Sequence, residues 1–322
     1  MGGKLLNGKR FTNEEGDKIW FKLENALKGV FSFVARTKSV LEKQDHGDMD
    51  ICIGGNTYPD WKERLKDKLN LSGYSSNGTV HSFLFEGIQV DLIWCGSDHA
   101  ACSWAYEYFS WNDFGNLVGR LARHIGFTYG SQGFTYTVYH AKGNYKKEIL
   151  ITHNLDDVIT FLGFPHMYTS FRTFKSMFEY VTLSALFDPS IYFLENRNHE
   201  GRHRDKKRPN YLKFLEYINT ELADCNQFPF LKANKQVHFY RACKLWPQLK
   251  NDVKEAEEEA RVIGEKKRAF PGDWISVITG LEGPKLGEFI KDHKHIFDIS
   301  WTKSQENRME LLWNLYDNWE KK

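Results

Sequence analysis

Two short apolar runs carry acids that a buried strand rarely tolerates. The first, Asp48-Met49-Asp50-Ile51-Cys52-Ile53, reads as the start of a buried strand with carboxylates at i and i+2. Side chains two apart on a strand share a face, so Asp48 and Asp50 point the same way. A lone Asp-x-Asp is a common accident in an acid-rich chain. The second run, Ile88-Gln89-Val90-Asp91-Leu92-Ile93, sets one more acid into a strand pattern. Ionised Asp is rarely buried without a partner. Acids on neighbouring strands can converge on a divalent metal pair, leaving the other positions to water and substrate phosphates. Asp48, Asp50 and Asp91 are therefore candidate metal ligands and catalytic residues for phosphoryl or nucleotidyl transfer.

At 322 residues the chain can bury two cores, or one catalytic domain with a helical extension. A formal net charge of +2 predicts no partner by itself, so only local patches can. The 24 Phe, 15 Tyr and 10 Trp argue against disorder and mostly serve packing, although some can stack on bases. Cys52, Cys95, Cys102, Cys225 and Cys243 are odd in number and contain no C-x-x-C, which signals neither a disulfide framework nor a zinc site. Reduced thiols, a polar N-terminus through Lys18 and no apolar run of spanning length predict a soluble cytoplasmic protein without a membrane partner. No G-x-S-x-G, P-loop or dinucleotide fingerprint is present.

Helical spacing of Ile19, Trp20, Leu23, Ala26 and Leu27 predicts a helix over 13–29, capped by Thr12 or Asn13 and ended by Gly29. A strand over 30–36 follows, then the cations Arg36 and Lys38, which suit triphosphate oxygens. A charged helix over 60–71 precedes a hairpin over 81–94 that turns near Glu86-Gly87. Residues 113–126 read as a helix with Leu117, Leu121 and Ile125 inward and Arg120 and Arg123 outward. A second hairpin centres on Lys142-Gly143-Asn144, and Asn154 or Leu155 opens a short helix ending at Gly163. Leu155-Asp156-Asp157 suits a helix dipole better than a site. Residues 171–187 read as an apolar helix, and helices dominate from Asn210. The expected class is α+β: a mixed sheet flanked by helices in a domain over 1–188, then a mainly helical domain over 189–322 that binds nucleotide or nucleic acid.

The order Ser32, then Asp48-Met49-Asp50, then Val90-Asp91-Leu92 resembles the DNA polymerase beta-type nucleotidyltransferase superfamily. That pattern is a Gly-Ser turn, a D-x-D strand and a third acid on a later strand; Phe31 stands in the place of the Gly. Bacterial-type CCA-adding enzymes and poly(A) polymerases look nearest. Asp113-Phe114-Gly115-Asn116 is similar to their R-D-F-x-x-N segment, without the arginines and with the Asn one position early. Arg204-Asp205-Lys206-Lys207-Arg208 is similar to the E-D-x-x-R motif that reads the incoming base, with Arg204 in place of Glu. Residues 280–290 are similar to a late helical segment of the family; read alone, they are also a helix joint with Gly283 as a stop, or a hairpin whose N–H groups meet a phosphate.

The resemblance implies nucleotide contacts from Ser32, Arg36, Lys38, Asp113, Asn116, Arg204, Asp205 and Arg208. It also implies two Mg²⁺ or Mn²⁺ ions on the order of 3.5–4 Å apart, which stabilise attacking and leaving oxygens during displacement of pyrophosphate. Arg197, Arg202, Lys206 and Lys207 belong to a basic stretch over 196–208 that can track a nucleic-acid backbone or lie as a solvated surface. An NTP and an RNA 3′ end, tRNA foremost, are the expected substrates. Transfer to a protein or small molecule, and a non-catalytic nucleic-acid-binding module, are the rival readings.

Overall fold

The structure, a computed structural model, describes residues 5–55, 60–69, 71–139, 146–168, 170–222 and 233–321. After a two-residue strand β1 (Phe11–Thr12), helix α1 (Asn13–Lys28) begins with a capping box. The Thr12 hydroxyl accepts from the Glu15 N–H, and the Glu15 carboxylate accepts from the Thr12 N–H. Ile19, Leu23 and Leu27 form its buried stripe, as the spacing predicts. Strands β2 (Phe33–Arg36), β3 (Asp45–His46) and β4 (Asp48–Gly54) come next, with β3 paired to β1. Helix α2 (Trp61–Lys68) then leads to β5 (Ser72–Asn77), β6 (Val80–Phe85) and β7 (Ile88–Trp94).

Five of these strands form one sheet in the order β2-β4-β7-β6-β5. Strand β4 runs parallel to β7 while the other neighbours are antiparallel, so the sheet is mixed. The β6–β7 hairpin turns at Glu86 and Gly87, both at positive φ (50° and 80°), the backbone a tight two-residue turn requires. Alternation then sorts the two faces. Met49, Ile51 and Ile53 share one core with Ile88, Val90, Leu92 and the α1 stripe. On the opposite face Cys52 and Ile93 pack with Cys102 and Ala105 of α3 (His99–Phe109). That opposite face also carries Asp48, Asp50, Gln89 and Asp91.

Helix α4 (Phe114–His124) buries Leu117 and Leu121 as expected, but Arg120 is buried rather than outward because it pairs with a buried acid. Strands β8 (Phe127–Gly130), β9 (Gly133–Tyr139) and β10 (Lys146–Thr152) form a second sheet with β9 central. The turn expected at Lys142-Gly143-Asn144 lies outside the described residues, as does Cys225. Helix α5 (Leu155–Phe161) is capped by Asn154, and α6 (Phe174–Thr182) is shorter than residues 171–187 because Thr173 caps it. Helices α7 (His199–Asp205), α8 (Pro209–Glu221), α9 (Lys235–Leu245), α10 (Gln248–Ala269), α11 (Gly272–Thr279), α12 (Gly283–Ser300) and α13 (Gln305–Glu320) complete the chain.

The architecture is thus α+β, with a mixed sheet followed by a helical C-terminal part. Two compact units emerge: Met1–Thr137 with Glu148–Pro247, and Val138–Lys147 with Gln248–Lys322. The last strand among the described residues ends at Thr152, and the division expected between residues 188 and 189 falls inside the first unit. The second has its own core around Phe270, Phe289, Phe297 and Leu312. Within it Gly280, at φ 69°, ends α11, so the stop is three residues before Gly283, which opens α12. No helix among the described residues is long and apolar enough to cross a membrane.

Candidate active site

The register of β4 on β7 sets Asp48 opposite Gln89 and Asp50 opposite Asp91. One carboxylate oxygen from each of Asp48, Asp50 and Asp91 lies within 4.8 Å of the others. Burial, then the charges of Asp48 and Asp91, push the Asp50 carboxyl up to about 7, with Lys43 opposing. Three hard oxygen donors held this close, from adjacent strands, suit Mg²⁺ or Mn²⁺. A cation held there would relieve the repulsion among the three carboxylates.

Asp48 and Asp50 line a cleft of about 720 Å³ whose wall also holds Arg36, Lys38, Lys43 and Arg208. Three of these cations are already paired: Arg36 with Asp17 (2.8 Å), Lys38 with Glu107 (2.8 Å) and Arg208 with Asp113 (2.7 Å). Lys43, which sequence reasoning passed over, makes no ion pair among the described residues. Burial pushes its ammonium pKa down, against the opposing charges of Asp48 and Asp50. Its position in the loop between β2 and the D-x-D strand was the available signal, since that loop must return to the carboxylate end.

Strand direction corrects one expectation. Because β2 is antiparallel to β4, Phe33 pairs with Gly54 and Arg36 with Ile51. Ser32 therefore sits beside Gly55, where a Cβ would come within 1.8 Å of its hydroxyl oxygen. That is five strand positions from Asp50, roughly 16 Å along the sheet. Ser32 is not brought to the cleft; Thr37, Lys38 and Ser39 line it instead.

The basic stretch divides likewise. Asp205 is fully buried, and three guanidiniums occupy it: Arg120 at 2.8 Å, Arg197 at 3.3 Å and Arg204 at 3.3 Å. This carboxylate lies in the interior rather than on the cleft wall, because α7 packs it against α4. Arg202 donates to the carbonyls of Leu194, Glu195 and Arg197, while Lys206 and Lys207 are exposed. Of the five-residue motif only Arg208 reaches the cleft, steered by Asp113. Asn116 also lines it: its Oδ1 accepts from Arg120 (3.2 Å), and its Nδ2 is buried without a partner.

A loop that sequence reasoning missed fixes the cleft wall. Trp111 and Asn112 adopt positive φ (64° and 61°), a strained backbone for residues other than glycine. In return the Trp111 N–H donates to the Lys38 carbonyl (2.6 Å), and the Val40 N–H donates to Asn112 Oδ1 (3.0 Å). The Lys38 N–H donates to Ser110 Oγ (3.1 Å). Residues 38–40 are thereby locked beside the carboxylates. Compared with known proteins, the chain matches no family model and no curated protein.

Proposed function

We propose that this chain is a metal-dependent nucleotidyltransferase that moves a nucleoside monophosphate from an NTP to the 3′-hydroxyl of an RNA. The observation that carries the reading is the parallel register that gathers Asp48, Asp50 and Asp91 beside a cation-walled cleft. The cleft volume lies in the ordinary range for small-molecule sites, about 300–1,000 Å³. In the reaction the 3′-oxygen bonds to the α-phosphorus, the bond to the β-phosphate bridge breaks, and pyrophosphate leaves. Two bound Mg²⁺ or Mn²⁺ ions would neutralise charge on the triphosphate and favour the ionised 3′-hydroxyl.

The chain's own residues do the rest. Asp48, Asp50 and Asp91 hold the cations, and Lys43, Lys38 and Arg36 draw the phosphates into the cleft. Asn116 offers a donor to the sugar or base, and Arg208, held by Asp113, closes the far wall. Arg202, Arg204, Lys206 and Lys207 are exposed near Arg208 in the chain, which supports a polyanionic acceptor, with tRNA the leading candidate.

The test is incubation of the protein with each labelled NTP, Mg²⁺ or Mn²⁺, and total RNA, beside Asp48→Ala. Label transferred to RNA only by the unaltered protein supports the reading. Label on protein instead moves the acceptor to a side chain. No label on any acceptor with any NTP rejects nucleotidyl transfer.

A further inference from the structure

The register that builds the acidic triad also defines a fourth position. Asp48, Asp50 and Asp91 occupy three corners of a two-by-two patch on β4 and β7, and Gln89 occupies the fourth, opposite Asp48. Gln89 is 3 % exposed, and its Nε2 donates to both oxygens of Asp91, at 3.0 and 3.2 Å. We propose that Gln89 is a positioning residue that fixes the Asp91 carboxylate for metal binding, and that the N-terminal segment 5–9 locks Gln89 in that role. The inference rests on reading the triad as a metal centre.

The amide can take only one orientation here. Gln89 Oε1 accepts from the Leu6 N–H at 3.2 Å, so a flipped side chain would set donor against donor at Leu6 and acceptor against carboxylate at Asp91. Each carboxylate oxygen has two acceptor positions. Gln89 takes one on each Asp91 oxygen and leaves the other for a cation. Being neutral, it supplies this hold without a fourth negative charge, which would add to the repulsion among the three acids.

The N-terminal segment is fitted closely to this corner. A Cβ on Gly8 would lie 2.8 Å from the Gln89 nitrogen, so only glycine lets the segment lie against β7 there. One residue on, the Lys9 N–H donates to the Gly87 carbonyl at 2.8 Å. Residues far from the triad in sequence are thus connected to Asp91 through one amide side chain.

Manganese binding to the full chain, followed by the paramagnetic resonance of free Mn²⁺, tests this without any turnover. Gln89→Met keeps length and volume but removes the donor, and should weaken Mn²⁺ binding about ten- to a hundredfold. Gly8→Val, which displaces the segment and leaves every ligand in place, should weaken binding in the same direction. Circular dichroism checks that each variant is folded at the titration temperature. In an Asp91→Ala background Gln89→Met should add nothing further, since its effect runs through Asp91. Unchanged binding in Gln89→Met, or an equal loss in both backgrounds, overturns the positioning role alone. If the unaltered chain binds no Mn²⁺, the metal centre fails and this inference with it.

Discussion

The first unit holds two acidic sites that solve the problem of burying a carboxylate in opposite ways. Around Asp205 one acid meets three arginines and is fully buried. Around Asp50 three acids converge, with Lys43 opposing and the Gln89 amide on Asp91, and a half-buried carboxyl is pushed up to about 7. The first site is compensated from within the protein, so it is a structural clamp between α4 and α7. The second concentrates like charge, enough to hold the Asp50 carboxyl up, so a cation supplied from outside would stabilise it. Incomplete compensation, more than the presence of acids, distinguishes a candidate site from a clamp.

The sharpest way to break this contrast is to delete a carboxylate at each site. Asp48→Ala or Asp91→Ala should reduce metal-dependent transfer on the order of 10³-fold or more, about 4 kcal/mol of barrier, while leaving the fold intact. Transfer assays beside thermal melts check both halves. Near-normal turnover in either variant would remove the active site described here. Asp205→Ala should do the reverse, lowering stability by about 3–5 kcal/mol because the buried Arg120 guanidinium loses its counterion. A chemical-denaturation midpoint that does not move would show that Arg120, Arg197 and Arg204 find other partners.

A smaller effect is expected at Lys43, the cleft cation without an ion pair among the described residues. A charge-assisted contact to a phosphate contributes about 1.5–3 kcal/mol. Lys43→Ala should therefore raise the KM for NTP roughly tenfold or more, with a lesser change in kcat. Lys38→Ala, whose parent ammonium is already held by Glu107, should change KM less. Equal effects at the two positions would erase the distinction between paired and unpaired cations on the cleft wall.

The sequence made the acids legible because alternation is local. Asp48 and Asp50 share a face by spacing alone, and the hairpin at Glu86-Gly87 fixes where Asp91 falls. Helix α1 was legible for the same reason, through the Thr12 cap and the Ile19, Leu23 and Leu27 spacing. Ser32 was misplaced because motif order carries no strand direction, and antiparallel pairing sends it to the far end of β2. Arg120 and Asp205 were misread because neither shows its partner locally: they lie 85 residues apart in sequence. Gln89 looked like an ordinary polar residue in an apolar run until the register put it opposite Asp48. The positive φ of Trp111 had no signal, since a bulky aromatic rarely adopts it, whereas Asn112 is of a residue type that tolerates that region.

The smallest expected effect turns one conservative change, Asp to Asn, into a comparison of the two sites. Without metal, folded Asp50 keeps its proton up to about pH 7, whereas an unfolded Asp releases it near about 3.9. Between those values the folded state holds one proton more, so this group's contribution to stability falls as pH rises through the window. Above it, the repulsion from Asp48 and Asp91 is fully present. Asp50→Asn should flatten that slope and, at pH 8 in chelator, raise stability by on the order of 1 kcal/mol, a few degrees in Tm. Saturating Mg²⁺ should close the gap by stabilising the unaltered protein. Asp205→Asn should instead lower Tm at the same pH, because there the negative charge is what the arginines require. Melts of the three proteins from pH 5 to 8, with and without Mg²⁺, decide the matter. A flat metal-free profile, or an Asp50→Asn protein less stable at pH 8 than its parent, would mean that Lys43 and Gln89 already balance the triad, and the contrast between clamp and site would be lost.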